Sequence, residues 1–293
     1  MKKLVVSVLT AVLLVVFASC KDLKRNNPYD PAGSAYGGVT YKGDVWYPDN
    51  TLISSMIVVS GGLVFGGSNP VDGDCVIKMT GDSTYTLAGY PGEFSGIKDL
   101  CADNSGNIYV VDSSATVKTV SVSDVTGSWP IVHTSGIDNL SIECLNNSIF
   151  ISNNADMTIT KYDLSGVYAD TLTLSSTTYG SFVPGRLFKG PNSLYVINTL
   201  DQKVIVELSD TLVKEGELDF QDVIIDGAAA GAQIQMVAGQ AVYKVEEGLN
   251  LISKWGNFGV GPGRVLNGKL VAYDSLNNWV YVQDGLTIKK FGE

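Results

Sequence analysis

The sequence has very little histidine and little charge for its length, and both shortages limit what the protein does. His133 is the only histidine, which excludes mechanisms and zinc sites that need two. Charged residues make up 17% of the 293-residue chain, and 20 Lys+Arg stand against 30 Asp+Glu, a formal charge of −10. So few charges argue against charge-rich disorder and against a coiled coil. The excess of acid disfavours nucleic acid as a partner, because binding its phosphates needs positive charge.

An apolar run at the N-terminus is typical of an export signal. Lys2 and Lys3 precede it, and residues 16–20 read Val-Phe-Ala-Ser-Cys. The run is short for a membrane-spanning helix, which needs about 20 residues, so residues 1–19 are predicted to be a signal peptide. Residues 16–20 resemble a bacterial lipobox, although Phe17 stands where that family usually has an aliphatic residue. The resemblance implies that Cys20 is acylated and anchors the chain to a membrane.

Residues 20–36 are predicted to be a flexible tether, because Pro, Asn and Gly interrupt any apolar period. The motif Asn-Pro-Tyr-Asp-Pro at positions 27–31 resembles the tethers of lipoproteins in some Gram-negative phyla. That resemblance implies a lipid-anchored protein of the bacterial cell envelope, placed in the outer membrane. The sequence leaves open whether it faces the periplasm or the surface.

Beyond residue 37, helix signals are nearly absent and short strand-like segments recur at a fixed period. Four of them end in Asp or Asn, and a second strand follows each: residues 108–112, 149–153, 194–198 and 280–284. Successive ends are 41, 45 and 86 residues apart, and the last distance is two periods of 43. Weaker hairpins near residues 69 and 241 bring the number of units to six.

The sequence therefore predicts an all-β protein with one six-bladed β-propeller over residues 37–293. Periods of about 40 to 45 residues are typical of propeller blades, since a ring buries apolar faces that one blade leaves open. Residues 92–112 and 255–264 are similar to NHL repeats, which implies the same NHL-like ring. The last blade lacks an outer strand, so we predict that residues 39–46 supply it and close the ring.

The Asp and Asn at the four strand ends form the first candidate site: Asp112, Asn153, Asn198 and Asp284. They share one position in the repeat, so they should lie at one end of the ring. They could form a polar rim around the channel that binds a cation or a polar ligand. Alternatively they bond the backbone of their own turns, the interpretation that we favour.

A metal site is the second possibility. Propeller hydrolases of the lactonase or phosphotriesterase type resemble the predicted fold, which implies a divalent metal such as Ca²⁺ at the channel mouth. Position alone suggests Glu143, Asn153, Asn154 and Asp274 as weak candidate ligands. No metal motif of that family matches them, and the neighbouring segments 100–102 and 142–144 are mostly apolar. We therefore predict no catalytic site and no cofactor.

The cysteines and tryptophans leave further alternatives open. With Cys20 assigned to lipid, Cys75, Cys101 and Cys144 remain, an odd number that permits at most one internal disulfide. A bond between Cys101 and Cys144 requires their strands to be neighbours. The tryptophans at positions 46, 129 and 279 could include an exposed platform for sugars, although packing is the interpretation that we favour.

Together these observations predict non-catalytic binding of a protein, peptide or glycan at the cell envelope. A metal-dependent hydrolase of the lactonase type is the alternative from another functional class. A carbohydrate-binding module is the third.

Overall fold

The computed structural model describes residues 39–48, 50–88, 92–121, 125–131, 140–248, 250–256 and 264–292. Within these ranges every regular element is a β-strand. None of the described residues forms a helix with the length and apolar character that crossing a membrane requires. The signal peptide (1–19), the tether (20–36) and His133 lie outside the described residues, so the statements about them stay predictions.

The strands form six four-stranded antiparallel sheets, which are the predicted blades. The chain begins with β1 (Thr40–Val45). Blade 1 holds β2 (Leu52–Val59), β3 (Gly62–Asn69), β4 (Gly73–Met79) and β5 (Tyr85–Ala88). Blade 2 holds β6 (Ile97–Ala102), β7 (Ile108–Asp112), β8 (Thr116–Val120) and β9 (Val125–Pro130). Blade 3 holds β10 (Leu140–Leu145), β11 (Ser148–Asn153), β12 (Thr158–Asp163) and β13 (Tyr168–Thr173).

The second half of the chain continues the same order after a small hairpin of β14 (Ser176–Thr177) and β15 (Gly180–Ser181). Blade 4 holds β16 (Pro184–Lys189), β17 (Leu194–Asn198), β18 (Val204–Leu208) and β19 (Lys214–Asp219). Blade 5 holds β20 (Ile224–Ala230), β21 (Gln233–Ala238), β22 (Ala241–Glu246) and β23 (Leu251–Trp255). Blade 6 holds β24 (Gly268–Asp274), β25 (Trp279–Asp284) and β26 (Thr287–Gly292), with β1 as its outer strand.

The N-terminal strand closes the ring, as the sequence predicts. β1 pairs antiparallel with β26, from Thr40 opposite Gly292 to Val45 opposite Ile288. One blade is thus built from both ends of the described chain. This pairing covers the edge of β26, which would otherwise offer unpaired backbone groups to other chains.

Local sequence explains the tight turns inside the blades. Ser60 and Gly61 join β2 to β3 with φ of 50° and 75°, and Asn146 and Asn147 join β10 to β11 with φ of 48° and 58°. Two-residue hairpins with both φ positive match the right-handed twist of the strands, and Asn and Gly tolerate that backbone best. These two turns therefore help to fix the register of β2 with β3 and of β10 with β11.

The hydrophobic core is divided among the interfaces between blades. The described residues form six apolar clusters, and each contains side chains from two neighbouring blades. Phe188 of blade 4, for example, packs with Ile224 and Met236 of blade 5, and a Cβ on Gly227 would come within 2.6 Å of its ring. The first strands β2, β6, β10, β16, β20 and β24 contact one another around the ring. They therefore enclose a central channel.

Candidate functional site: the loop face and the central channel

The four Asp and Asn residues predicted to form a rim lie together at one end of the ring. They end the second strands of blades 2, 3, 4 and 6, opposite the beginnings of the first strands. We call this end the loop face: the turns between second and third strands, together with the segments that enter each first strand. All four side chains are buried within their blades.

Their contacts are those of turn-forming residues. Asp112 accepts the N–H of Ser114 at 3.0 Å, and Asn153 accepts that of Ala155 at 3.0 Å. Asn198 accepts the N–H groups of Leu200 at 3.1 Å and of Val183 at 3.0 Å. These bonds tie each turn to its strand.

Asp284 and Asp112 each also form an ion pair with a lysine of the following strand. Asp284 accepts the N–H groups of Leu266 and Asn267 and the Nζ of Lys289 at 2.5 Å. Lys118 pairs with Asp112, and these bonds hold the pKa of that carboxyl below its usual range even though burial opposes the shift. Asn69 of blade 1 accepts the N–H groups of Val71 and Asp72, so it belongs to the same set.

The loop face carries most of the exposed apolar side chains. Among the described residues, nine of fifteen large exposed apolar side chains lie there: Trp46, Leu52, Val71, Met157, Tyr179, Leu200, Val223, Leu266 and Leu286. Val71, Leu200 and Leu286 are 88%, 65% and 68% exposed. Val71 and Leu200 each stand two residues after the Asn that accepts their N–H. The Asn therefore fixes the turn that presents the apolar side chain to solvent.

The central channel opens into a cavity of ≈ 180 Å³ at the opposite end of the ring. All six first strands line it, and so do Ser60 and Asn104 from turns that lead to second strands. Asp99, Glu143, Arg186, Lys189 and Asp226 all face it. The sequence prediction included Glu143 alone of these five.

Arg186 bridges three blades across the channel. Its Nε donates to Asp226 of blade 5 at 2.5 Å, and its guanidinium lies 3.5 Å from Asp99 of blade 2. The two carboxylates are each 3% exposed, and the arginine is 22% exposed. Burial raises the pKa of Asp226 although Arg186 opposes that shift, while the two carboxylates hold the pKa of Arg186 above its ordinary value.

A series of hydrogen bonds joins neighbouring first strands around this bridge. Leu100 N–H donates to Ser55 Oγ at 3.3 Å, and Ile142 N–H donates to Asp99 at 3.2 Å. Val271 N–H donates to Asp226 at 2.9 Å. In each case a polar side chain of one blade accepts a backbone N–H of the next, which satisfies a buried donor. The charged groups thus also hold the blades together.

Glu143 and Lys189 lie nearer the open end of the cavity. Lys189 Nζ is 4.0 Å from Glu143 Oε1, too far for a hydrogen bond. Glu143 is 13% exposed and accepts backbone N–H groups of Cys144 and Lys189. Burial raises the pKa of its carboxyl to about 7, with Lys189 opposing the shift.

The weak metal candidates do not come together. Glu143 lies in the channel, whereas Asp274 is buried at the end of β24 and accepts the N–H groups of Leu276 and Asn277. Asn154 lies in the turn after β11, on the loop face. The described part of the chain contains no group of three or more His, Cys, Asp or Glu side chains arranged to hold a metal.

The aromatic side chains do not form a flat platform at the predicted positions. Trp46 is half exposed, but its ring is tilted by 42° against Tyr85. Trp129 packs on Tyr162, and the ring of Trp279 lies beneath the ammonium group of Lys290 at 4.5 Å. These contacts are those of packing within and between blades.

The three cysteines within the described ranges form one disulfide and leave one free thiol. Cys101 of β6 and Cys144 of β10 are bonded, with Cα atoms 5.7 Å apart, so their strands are neighbours. Cys75 is a free buried thiol, and burial raises its pKa to about 11. A thiol with so high a pKa is a poor nucleophile at neutral pH.

Comparison with known proteins identifies the fold. No family model and no curated protein sequence matches the chain. Among solved structures, a streptogramin B lyase has a TM-score of 0.60 and 12% identity over 84% of this chain and 80% of its own. A catalytically inactive virginiamycin B lyase from Staphylococcus aureus, solved with quinupristin, has a TM-score of 0.60 and 9% identity over 87% and 99%. U3-55K has a TM-score of 0.57 and 9% identity over 86% and 98%.

At these identities the likeness concerns the fold alone. Together with the six sheets and their closure by the N-terminal strand, it shows that the chain is an all-β, six-bladed β-propeller.

Proposed function

We propose that the protein is a lipid-anchored envelope protein whose NHL-like propeller binds a protein or peptide partner, without catalysis, through its loop face. The concentration of exposed apolar side chains on that face carries the proposal. Large exposed apolar patches commonly mark binding surfaces, and blades 1, 4 and 6 each expose an apolar side chain on this face: Val71, Leu200 and Leu286. Several turns contribute, which suits the broad, shallow contact that a protein partner makes.

The negative charge of the chain indicates a partner that carries positive charge. Asp72, Asp156 and Asp201 lie in the loop-face turns of blades 1, 3 and 4, beside the apolar tips, and the chain carries a formal charge of −10. Opposite charge on a partner speeds association and suppresses wrong pairings. We therefore expect a partner surface with apolar side chains framed by lysine or arginine.

The path of the chain fits an anchored protein. Thr40 enters blade 6 beside Gly292, at the end of β26 farthest from the turn that carries Leu286. An acylated Cys20 would therefore join the propeller at the end away from that turn. The loop face would then lie away from the point where the tether joins the propeller and remain free for a partner.

Two substitutions test the binding surface. The full-length chain is cross-linked in cells and captured as wild type, as Leu200→Asp with Leu286→Asp, and as Val213→Asp. Val213 is as exposed as Leu200 but lies in the turn between β18 and β19, at the opposite end of the ring. A partner retained by wild type and V213D but lost by the double variant supports the proposal. A partner that all three chains retain would contradict it.

A separate measurement tests the anchor. Cells are labelled with a palmitate analogue and fractionated, comparing wild type with Cys20→Ser. We expect the variant to lose the label and to leave the membrane fraction. An equal label on both chains would show that Cys20 is not the attachment site.

A further inference from the structure

We propose that the channel is a binding site for a small zwitterion, an α-amino acid with a short apolar side chain. Its ammonium group would bind Glu143 and its carboxylate would bind Lys189. This site lies at the end of the ring away from the loop face, and the inference does not depend on the proposed docking of a partner.

Unused hydrogen-bonding capacity on Glu143 and Lys189 is the first argument. A carboxylate has about four acceptor sites, and the bonds to Glu143 among the described residues come from two backbone N–H groups. The ammonium group of Lys189 has three donors, and among the described residues its polar contact is the 4.0 Å approach to Glu143. Glu143 is 13% exposed and Lys189 is 37% exposed, so both can meet a ligand that enters the cavity and brings a donor and an acceptor.

The charge balance of the cavity is the second argument. Asp99, Asp103, Asp226 and Glu143 supply four acidic groups, and Arg186 and Lys189 supply two basic ones. Arg186 is already engaged by Asp99 and Asp226. A simple anion would add to the acidic surplus, and a simple amine would face Lys189 without a group to neutralise it. A zwitterion adds no net charge and pairs with both free groups.

The shape and lining of the cavity limit the side chain of the ligand. A volume of ≈ 180 Å³ corresponds to about six waters, each of which takes about 30 Å³ in the liquid. Opposite Glu143 and Lys189, blades 5, 6 and 1 line the cavity with small or apolar residues, among them Ala228, Ala272 and Ile57. The wall thus favours a short apolar side chain over a large aromatic one.

Calorimetric titration of the full-length protein, purified in detergent, provides the test. The probes are L-alanine, propionate (the same molecule without its amine), ethylamine (the same molecule without its carboxylate) and L-tryptophan. We expect L-alanine to bind with a 1:1 ratio and each truncated probe to bind at least about tenfold more weakly, since each lacks one of the two hydrogen bonds to a charged group. L-Tryptophan should not bind.

Variants connect the binding to the pair. Glu143→Gln and Lys189→Met should each weaken L-alanine binding at least about tenfold, while Lys203→Met, in a loop-face turn, should bind like wild type. Lys189 is 37% exposed, so K189M is expected to fold, and a melting curve verifies this.

Four outcomes would overturn the inference. They are equal binding of propionate or ethylamine, binding of L-tryptophan as tight as that of L-alanine, undiminished binding by K189M, and no heat with L-alanine. The first would show a site for a single charge, and the second and third a site outside the channel. The last would show that the pair has a structural role only.

Discussion

Removing Arg186 should destabilise the propeller far more than removing any surface arginine. The substitution Arg186→Met would leave Asp99 and Asp226, each 3% exposed, without their shared cation. Asp99 would keep hydrogen bonds from Leu100 N–H and Ile142 N–H, but the described partner left to Asp226 would be the N–H of Val271. Breaking a buried ion pair on one side costs about 3–5 kcal/mol, because a buried charge remains uncompensated.

The loss can be measured by urea unfolding and by calorimetry. At about 2–4 °C per kcal/mol for a domain of this size, the melting temperature of R186M should fall by about 6–20 °C at pH 7.5. Arg264→Met is the matched control, because Arg264 also follows a Pro-Gly pair in the sequence but is exposed. We expect that control to change stability by less than about 0.5 kcal/mol.

The pH dependence separates this account from a loss of packing. Burial already raises the pKa of Asp226 against the attraction of Arg186, so the pKa should rise further in R186M. The stability that R186M lacks at neutral pH should therefore partly return as the pH falls and the carboxyl takes up a proton. The reasoning is refuted if R186M unfolds like R264M, or if its deficit is the same at pH 5 and pH 7.5.

Three further predictions follow from the same structure. Replacing both Cys101 and Cys144 by Ala should cost about 4 kcal/mol in urea unfolding, because their bond closes a loop with a sequence separation of 43; a loss no larger than that of Cys75→Ala would contradict this. Deleting residues 39–46 removes the outer strand of blade 6, so the melting temperature should fall sharply, and an unchanged melt would contradict the closure. The pKa of Glu143 is about 7 in the fold against an ordinary 4.5, so its ionisation should lower stability by at most about 3 kcal/mol as the pH rises from 4.5 to 7. Glu143→Gln should flatten that fall, and parallel pH curves for the two proteins would refute it.

The fold was predictable because each blade repeats the same sequence pattern of short strands and turns, and because each blade must bury its apolar faces against its neighbours. A strand that ends in Asp or Asn, followed by a turn and a second strand, marks the middle of blades 2, 3, 4 and 6, and the structure places β7, β11, β17 and β25 there. The last hairpin of the sequence has no outer strand after it, and we therefore predicted that residues 39–46 would pair with its second strand. β1 pairs with that strand, β26. Periodicity and the need to cover an edge were sufficient for both results.

The charged side chains of the channel were missed, because bulges change which first-strand residues face it. The register shifts between Ile97 and Asp99, between Pro184 and Leu187, and between Ile224 and Asp226. A shift of one residue moves a side chain to the other face of a strand, so alternation along these short segments does not show which residues face the channel. Asp99, Glu143, Arg186 and Asp226 stand 44, 43 and 40 residues apart, so a search for charged residues at the period of the repeat would have found all four.

Arg186 and Arg264 show that the same short motif can lie in different surroundings. Both arginines follow a Pro-Gly pair. Arg186 lies within β16 and faces the channel, whereas Arg264 precedes β24 by four residues. The different distance to the first strand, which only the fold reveals, gives the two side chains different surroundings.

The exposed apolar side chains of the loop-face turns occupy a recognisable position in the sequence repeat. Val71, Leu200 and Leu286 each stand two residues after the Asp or Asn at the strand end. An apolar residue in a tight polar turn has no core to enter, so its exposure follows from the turn itself. The sequence could have indicated this surface, although not the blades from which it is assembled.

Position-specific photo-cross-linking tests the central claim most directly. A photoreactive amino acid is placed in the full-length chain in cells at Leu200, at Leu286 or, as control, at Val213. If the loop face binds a partner, the two loop-face positions should give the same adduct in the envelope fraction and the control should not. An adduct at Val213 alone, or no adduct at Leu200 and Leu286, would contradict the assignment of the loop face as the binding surface.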